Sequence, residues 1–181
     1  MDAPSNPAQA AQELFRQHGA AVYRFAVALG RHHQDAEDVV QETFLKLLRH
    51  LGTGGSTDNV RGWLFTVAAH ALRDRQRGRW RWMPWGPDHE RGVGPPRLFD
   101  EDGRLSRLRE VLRQLPARDR LLLALRAQGL GYRDIAAAAG VRASSVGQLL
   151  ARAVARCERA CAERIAVDET RTIKPERHGI L

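Results

Sequence analysis

Asp35-Ala36-Glu37-Asp38-Val39-Val40-Gln41-Glu42-Thr43-Phe44-Leu45-Lys46-Leu47-Leu48 decides how this chain is read. Its apolar residues Ala36, Val39, Val40, Phe44, Leu47 and Leu48, with Leu51 just beyond, recur at the spacing that lines one side of an α-helix. Asp35 stands where a carboxylate caps the first turn. The other side carries Glu37, Asp38, Gln41 and Glu42, an acidic patch on a chain whose formal net charge is +8. Acids in a first turn are also favoured by the helix macrodipole. Clustered on a basic protein, they ask for a basic partner.

Upstream, Ser5-Asn6-Pro7 opens a helix in which Phe15, His18, Val22, Phe25 and Leu29 keep helical spacing to about Gly30. His18 lies on that apolar stripe and reads as a core or boundary histidine. His32 and His33 precede the acidic helix, but adjacent histidines in a turn point apart and Glu37 and Asp38 face solvent, so no metal site is expected. Downstream, Gly52 to Asp58 forms turns, and Asn59 is placed to cap a long helix from Val60 to about Arg81. Its core face is Val60, Trp63, Leu64, Val67, Ala68, Ala71 and Leu72. Thr66, His70, Arg73 and Arg77 lie opposite, and the end of the helix is dense in arginine with Trp80 inside it. Guanidinium groups that pair phosphates, beside an aromatic that stacks on bases, fit a nucleic-acid backbone. The plain alternative is a solvated helix end.

The 181 residues suffice for one ordinary domain or two small ones, and 43% apolar content supports real cores. The pI near 10.8 favours a polyanionic partner, nucleic acid before membrane, because no stretch reaches the ~18 apolar residues of a spanning helix. Lys46 and Lys174 are the only lysines. The arginine bias suits bidentate recognition of phosphate and bases, and a GC-rich genome would equally produce it. No export signal opens the chain, which predicts a cytoplasmic protein. Cys157 and Cys161 continue an apolar stripe and are assigned no chemistry. His70 and Asp74 lie four apart on one helix, yet nothing completes a catalytic or metal site with them. No phosphate loop, nucleophile elbow or cofactor signature is present.

Proline and glycine from Met83 to Gly103 interrupt every periodicity and mark a linker. After it, Leu105, Leu108, Leu112 and Leu115 share a helical face, and a further helix runs from Pro116 through Leu121, Leu122 and Leu125 to Gln128. A short helix over 132–139 (Tyr132, Ile135, Ala136 and Ala139 inward), a turn at Gly140 and a helix from about Ala143 (Val146, Leu149, Leu150 and Ala153 inward) meet the requirements of a helix-turn-helix. Ser145, Gln148 and Arg152 share the exposed side of its second helix, where Gly147 and Ala151 permit close approach. A plain antiparallel helical pair is the alternative.

These motifs resemble one family, the bacterial RNA polymerase sigma factors of the extracytoplasmic-function group. Residues 35–44 resemble conserved region 2.2. Gly62-Trp63-Leu64-Phe65-Thr66-Val67-Ala68, followed by Arg73, Asp74 and Arg77, resembles regions 2.3 and 2.4. Leu115-Pro116-Ala117-Arg118 and Gly131-Tyr132-Arg133-Asp134-Ile135-Ala136 resemble region 4. The resemblance covers roughly residues 12–81 and 105–160. It departs from the family pattern at His70, where an asparagine is common, at Gly147 and Leu149, where basic residues are frequent, and at Arg142, where a capping serine is usual.

The resemblance implies an all-α fold of two small helical domains joined by a flexible linker: region 2 over 8–82, a linker over 83–103, the region 4 helix-turn-helix over 104–165 and a mobile tail over 166–181. It implies that Asp35, Glu37, Asp38, Gln41 and Glu42 contact the β′ clamp coiled coil of core RNA polymerase, with the β flap as a second polymerase contact. It further implies that Asn59, Arg61, Trp63, Thr66, His70, Arg73 and Arg77 capture the single-stranded −10 element. Arg142, Ser144, Ser145, Gln148 and Arg152 would read the −35 element. No catalytic residue, metal, cofactor or membrane insertion is implied, and a separate anti-sigma factor is expected. A stand-alone helix-turn-helix regulator with no polymerase dock is the other function the residues allow. The acidic face separates the two, since a DNA-only protein gains nothing from carboxylates beside its DNA surface.

Overall fold

The computed structural model describes residues 6–30, 33–82 and 110–172, with side chains for 6–30, 34–75 and 110–164. The expected linker over 83–103 lies outside the described residues. The described chain folds as helices: α1 (Pro7–Leu29), α2 (His33–Gly52), α3 (Val60–Trp82), α4 over 110–114, α5 (Ala117–Ala127), α6 (Tyr132–Ala139) and α7 (Ala143–Thr172). No strand occurs among the described residues, and no helix there is long and apolar enough to cross a membrane.

The ends of these helices follow from local chemistry. Asn6 caps α1, its Oδ1 accepting from the Ala8 N–H at 2.9 Å, with Pro7 supplying the preset φ of a first helical residue. Asn59 caps α3 as expected, its Oδ1 accepting from the Gly62 N–H at 3.2 Å. Asp35 is not a cap: α2 begins two residues earlier, and the carboxylate sits inside the first turn. Gly140 ends α6 at φ 68°, a left-handed conformation that glycine adopts without a Cβ penalty, and this makes the turn into α7. Because α7 starts at Ala143, Ser144 and Ser145 fall inside its first turn. α7 also runs to Thr172, beyond the 165 at which the apolar pattern ends; neither glycine nor proline interrupts the sequence between those positions.

α1, α2 and α3 form the first bundle. Ala36, Val39, Val40, Leu47 and Leu51 of α2 are buried as the periodicity predicts. Two positions differ. Thr43 is wholly buried, its hydroxyl donating to the Val39 carbonyl at 2.7 Å, whereas Leu48 is exposed. Phe44 is half-buried, meeting Phe15 edge to face at 4.9 Å. Phe25 and Phe65 make a second edge-to-face contact at 5.1 Å in the centre of the bundle.

α3 buries more than one stripe. Besides Leu64, Ala68, Ala71 and Leu72, it buries Phe65 and Ala69, because α1 and α2 cover one side and α6 the other. The second module, α4 to α7, centres on Leu122, Leu125, Ile135, Ala138, Val146 and Leu150. Asp119 on α5 is buried against Arg156 of α7, a charge-assisted link across the module. Through the α3 to α6 contact, the buried side chains of both modules join in one apolar cluster.

Candidate nucleic-acid interface

The acidic side of α2 keeps Glu37 and Gln41 in solvent, with Asp35 half-buried. Asp38 and Glu42 are held differently. Arg75 of α3 donates to Asp38 Oδ2 at 2.8 Å and lies 3.7 Å from Glu42 Oε2, while Lys46 pairs with Glu42 at 2.8 Å. The sequence places Arg75 in the basic end of α3, and its pairing with Asp38 arises only because α2 packs on α3. Its Nε is buried with no hydrogen-bond acceptor among the described residues.

Beside this patch, the loop between α2 and α3 is organised by a residue that carried no sequence signal. The His50 ring stacks on Trp63 at 4.9 Å with an interplanar angle of 23°, and its Nε2 lies 3.1 Å from the Ser56 carbonyl. Gly55 passes so close that a Cβ there would stand 2.2 Å from the ring. The loop is thus fixed from below, and Trp63, expected on the DNA surface, has one face taken by His50.

The remaining positions of the basic surface are distributed along α3. Thr66 donates its hydroxyl to the Gly62 carbonyl at 2.8 Å, and His70 is exposed. Arg77 lies on α3, its side chain outside the described residues. Asn59, Arg61 and Arg73 each reach the second module. Asn59 Nδ2 donates to Asp134 Oδ1 at 2.7 Å, Arg61 Nη2 to the Gln128 carbonyl at 2.7 Å, and Arg73 Nη2 to the Ala138 carbonyl at 3.0 Å. The structure therefore divides these side chains: Asn59, Arg61 and Arg73 face the second module, His70 stays in solvent and Trp63 packs on His50. Behind Arg61, His18 of α1 is pushed below the ordinary histidine range by burial and, secondarily, by the Arg61 charge.

On the helix-turn-helix, Arg142, Ser144, Gln148 and Arg152 are exposed and Ser145 is half-buried, its N–H donating to the Arg142 carbonyl at 2.9 Å. Tyr132, expected to point inward, is half exposed instead. Its ring lies over Gly147, where a Cβ would stand 3.6 Å from Cε2, because α6 crosses α7 at that glycine. Cys157 and Cys161 are free thiols, and burial, reinforced by Cys161, raises Cys157 above the ordinary thiol range. No cluster of three or more metal-binding side chains occurs among the described residues.

Comparison with known proteins matches both halves. The family model described as Sigma-70 region 2 matches residues 14–81, and that described as Sigma-70, region 4 matches residues 105–157. The chain is 32% identical to the ECF RNA polymerase sigma factor SigE of Mycolicibacterium smegmatis over 74% of its own length and 54% of that protein's. It thus spans about half of SigE. It is 30% identical to the ECF RNA polymerase sigma factor SigM of Mycobacterium tuberculosis over 81% of its length and 74% of SigM's. In fold, it resembles the sigma factor RpoE from Bartonella quintana, solved with the anti-sigma factor NepR, at a TM-score of 0.65 and 24% identity over 82% of this chain and 94% of that one. With both halves matched in order and a relative covered over most of its length, the chain belongs to the ECF RNA polymerase sigma factors.

Proposed function

We propose that this protein is a dissociable specificity subunit of RNA polymerase, with α2 as the dock on core enzyme and with promoter DNA read by two surfaces. Family membership supports the reading. The observation that carries it is a solvent-facing acidic helix beside an arginine-bearing helix, in a chain that also holds a helix-turn-helix. Asp35, Glu37, Asp38, Gln41 and Glu42 meet the basic coiled coil of the β′ clamp, and the second module meets the β flap. Asn59, Arg61, Trp63, Thr66, His70, Arg73 and Arg77 hold the unpaired −10 strand. Arg142, Ser144, Ser145, Gln148 and Arg152 enter the −35 element. The working modules are 8–82 and 104–165, with 83–103 between them and 166–181 as a tail.

Binding energy for the single strand opens the promoter, so the protein does no covalent chemistry and requires neither metal nor cofactor. It acts in the cytoplasm, where polymerase is, and a separate anti-sigma factor restrains it.

The test is binding of the purified protein to core polymerase followed by promoter-directed transcription, wild type against the double variant Asp38→Arg, Glu42→Arg. The variant's affinity for core should fall on the order of 100-fold, with the helical circular dichroism kept, because close charge pairs at an interface are each worth roughly 1.5 kcal/mol or more. If both proteins bind DNA equally and neither binds polymerase, the chain is a free-standing regulator.

A further inference from the structure

Cys157 and Cys161 are the two cysteines of the chain, and neither the α2 dock nor the DNA surfaces use them. They stand four residues apart on α7, so their side chains leave one face of the helix from successive turns. Both are free and half-buried, and each thiol is within hydrogen-bonding reach of the other. The face they share is the inner one. It continues from buried Leu150 and Ala153, and Ala160 and Arg164 beyond them are half-buried too. The link from Arg156 to buried Asp119 holds this stretch of α7 against α5.

The spacing decides what the pair can do. A disulfide brings two Cβ atoms to about 3.8 Å, whereas residues four apart on an intact helix hold theirs about 5–6 Å apart. The two thiols therefore do not close on each other while α7 is helical. A metal ion held between two sulfurs at about 2.3 Å each spans up to about 4.6 Å, which side chains on adjacent turns meet without moving the backbone. Zinc does not fit by ligand number. It takes three or four protein ligands, and no cluster of three or more metal-binding side chains occurs among the described residues. A soft monovalent ion is satisfied by two thiolates.

A second observation points to the same ligand. Two thiolates on a monovalent ion carry one net negative charge. Arg164 lies three residues beyond Cys161, and its Nε is buried with no hydrogen-bond acceptor among the described residues. A buried donor without an acceptor is costly, and an anionic pair of thiolates one turn away supplies the acceptor.

We propose that Cys157 and Cys161 form a two-coordinate site for a soft monovalent cation of the copper(I) class, with Arg164 as the outer partner that neutralises the complex. Binding replaces two S–H bonds by two S–Cu bonds, releases two protons to solvent and changes no oxidation state. The site lies beyond the half of α7 assigned to the −35 element, and it depends on neither the polymerase nor the promoter assignments.

The experiment uses the full chain, reduced and under nitrogen. Copper(I) is supplied as its coloured bicinchoninate complex, and transfer to the protein is read from the loss of that colour. Wild type should take up one equivalent, keep in sedimentation the mass it has without copper, and melt at a higher temperature when loaded. Cys157→Ser and Cys161→Ser should each weaken uptake about 100-fold or more, because a single thiolate loses the advantage of a chelate. The corresponding alanine variants serve if a serine there does not fold. Arg164→Gln should keep the stoichiometry and weaken uptake about 10-fold, as loss of an outer partner does. His32→Ala combined with His33→Ala should leave uptake unchanged.

Failure of the protein to compete for copper(I) would overturn the proposal, and so would uptake that survives either serine substitution. A mass that doubles on loading would overturn it as well, since the ion would then bridge two chains. Uptake lost with the histidines would place the ion elsewhere, and uptake unchanged in Arg164→Gln would overturn the part given to that residue.

Discussion

The acidic side of α2 and the basic side of α3 lie on neighbouring helices of one bundle, yet they stand differently in the free chain. The α2 patch belongs to one element and keeps Glu37 and Gln41 in water, while Asp38 and Glu42 are engaged by Arg75 and Lys46. The α3 surface has three of its donors met by a second module more than sixty residues away in sequence. An exposed carboxylate pair in water gains little from a partly exposed partner and is easily exchanged for a stronger one. A surface closed by several directed hydrogen bonds and an apolar contact is held more firmly. The first surface lies open to solvent and part of the second is held against another module.

Substitutions on the two faces separate these roles. Arg73→Ala should lower promoter-directed transcription by roughly 10-fold or more while leaving core polymerase affinity within about twofold, the signature of a lost DNA contact. Reversal of the α2 charges loses both activities. Equal loss of polymerase binding in Arg73→Ala would remove the distinction between the surfaces.

The loop that joins them gives the next largest effect. Gly55→Ala drives a methyl into the His50 ring and should cost about 1–2 kcal/mol in denaturant unfolding, as overpacking does. With His50→Ala the penalty should largely vanish, so that the pair is strongly non-additive. Additive losses would show that the ring does not hold the loop.

Arg75 sits between the faces and sharpens the contrast. Arg75→Ala removes pairs that are about a third to a half exposed, so stability should change by less than about 1 kcal/mol. Loss of the guanidinium leaves Asp38 without that partner and Glu42 with Lys46 alone, and makes the α2 face more negative. Association with core polymerase should then quicken by a small factor at low salt, and the gain should disappear as salt is raised. Slower association at every salt concentration would mean that Arg75 holds Asp38 and Glu42 in their docking geometry.

The smallest effect lies behind Arg61. The folded state holds the pKa of His18 below its unfolded value near 6.5, so the unfolded chain takes up the proton more readily. This contribution to stability is present above about pH 6.5 and is lost as pH falls through the folded value. The melting temperature of the wild type should therefore fall between neutral pH and pH ~5 by slightly more than that of His18→Gln. Identical pH profiles would remove His18 from the account.

Much of this molecule was legible because its helices are amphipathic and capped by side chains that act locally. Asn6 with Pro7, Asn59 and Gly140 could be placed from neighbours within four residues, and so could most of the buried face of α2. The readings that changed all depend on what packs against what. Leu48 is apolar but exposed, Thr43 is polar but buried with its hydroxyl satisfied one turn back, and Tyr132 lies across Gly147 instead of pointing inward. Periodicity gives the direction of a side chain from its own helix and is silent on whether another helix arrives there.

The sequence by itself determined the helices, their order, the acidic face of α2, the arginines of α3 and the helix-turn-helix, because each rests on residue types at short spacing. Only the tertiary structure decided that Arg75 reaches Asp38 and Glu42, that His50 carries the loop against Trp63, and that Asn59, Arg61 and Arg73 meet Asp134 and the ends of α5 and α6. The physical reason is the same in each case. These groups are brought within hydrogen-bond or stacking distance by the burial of apolar faces that point elsewhere, and no local pattern of charge or spacing records which faces will meet.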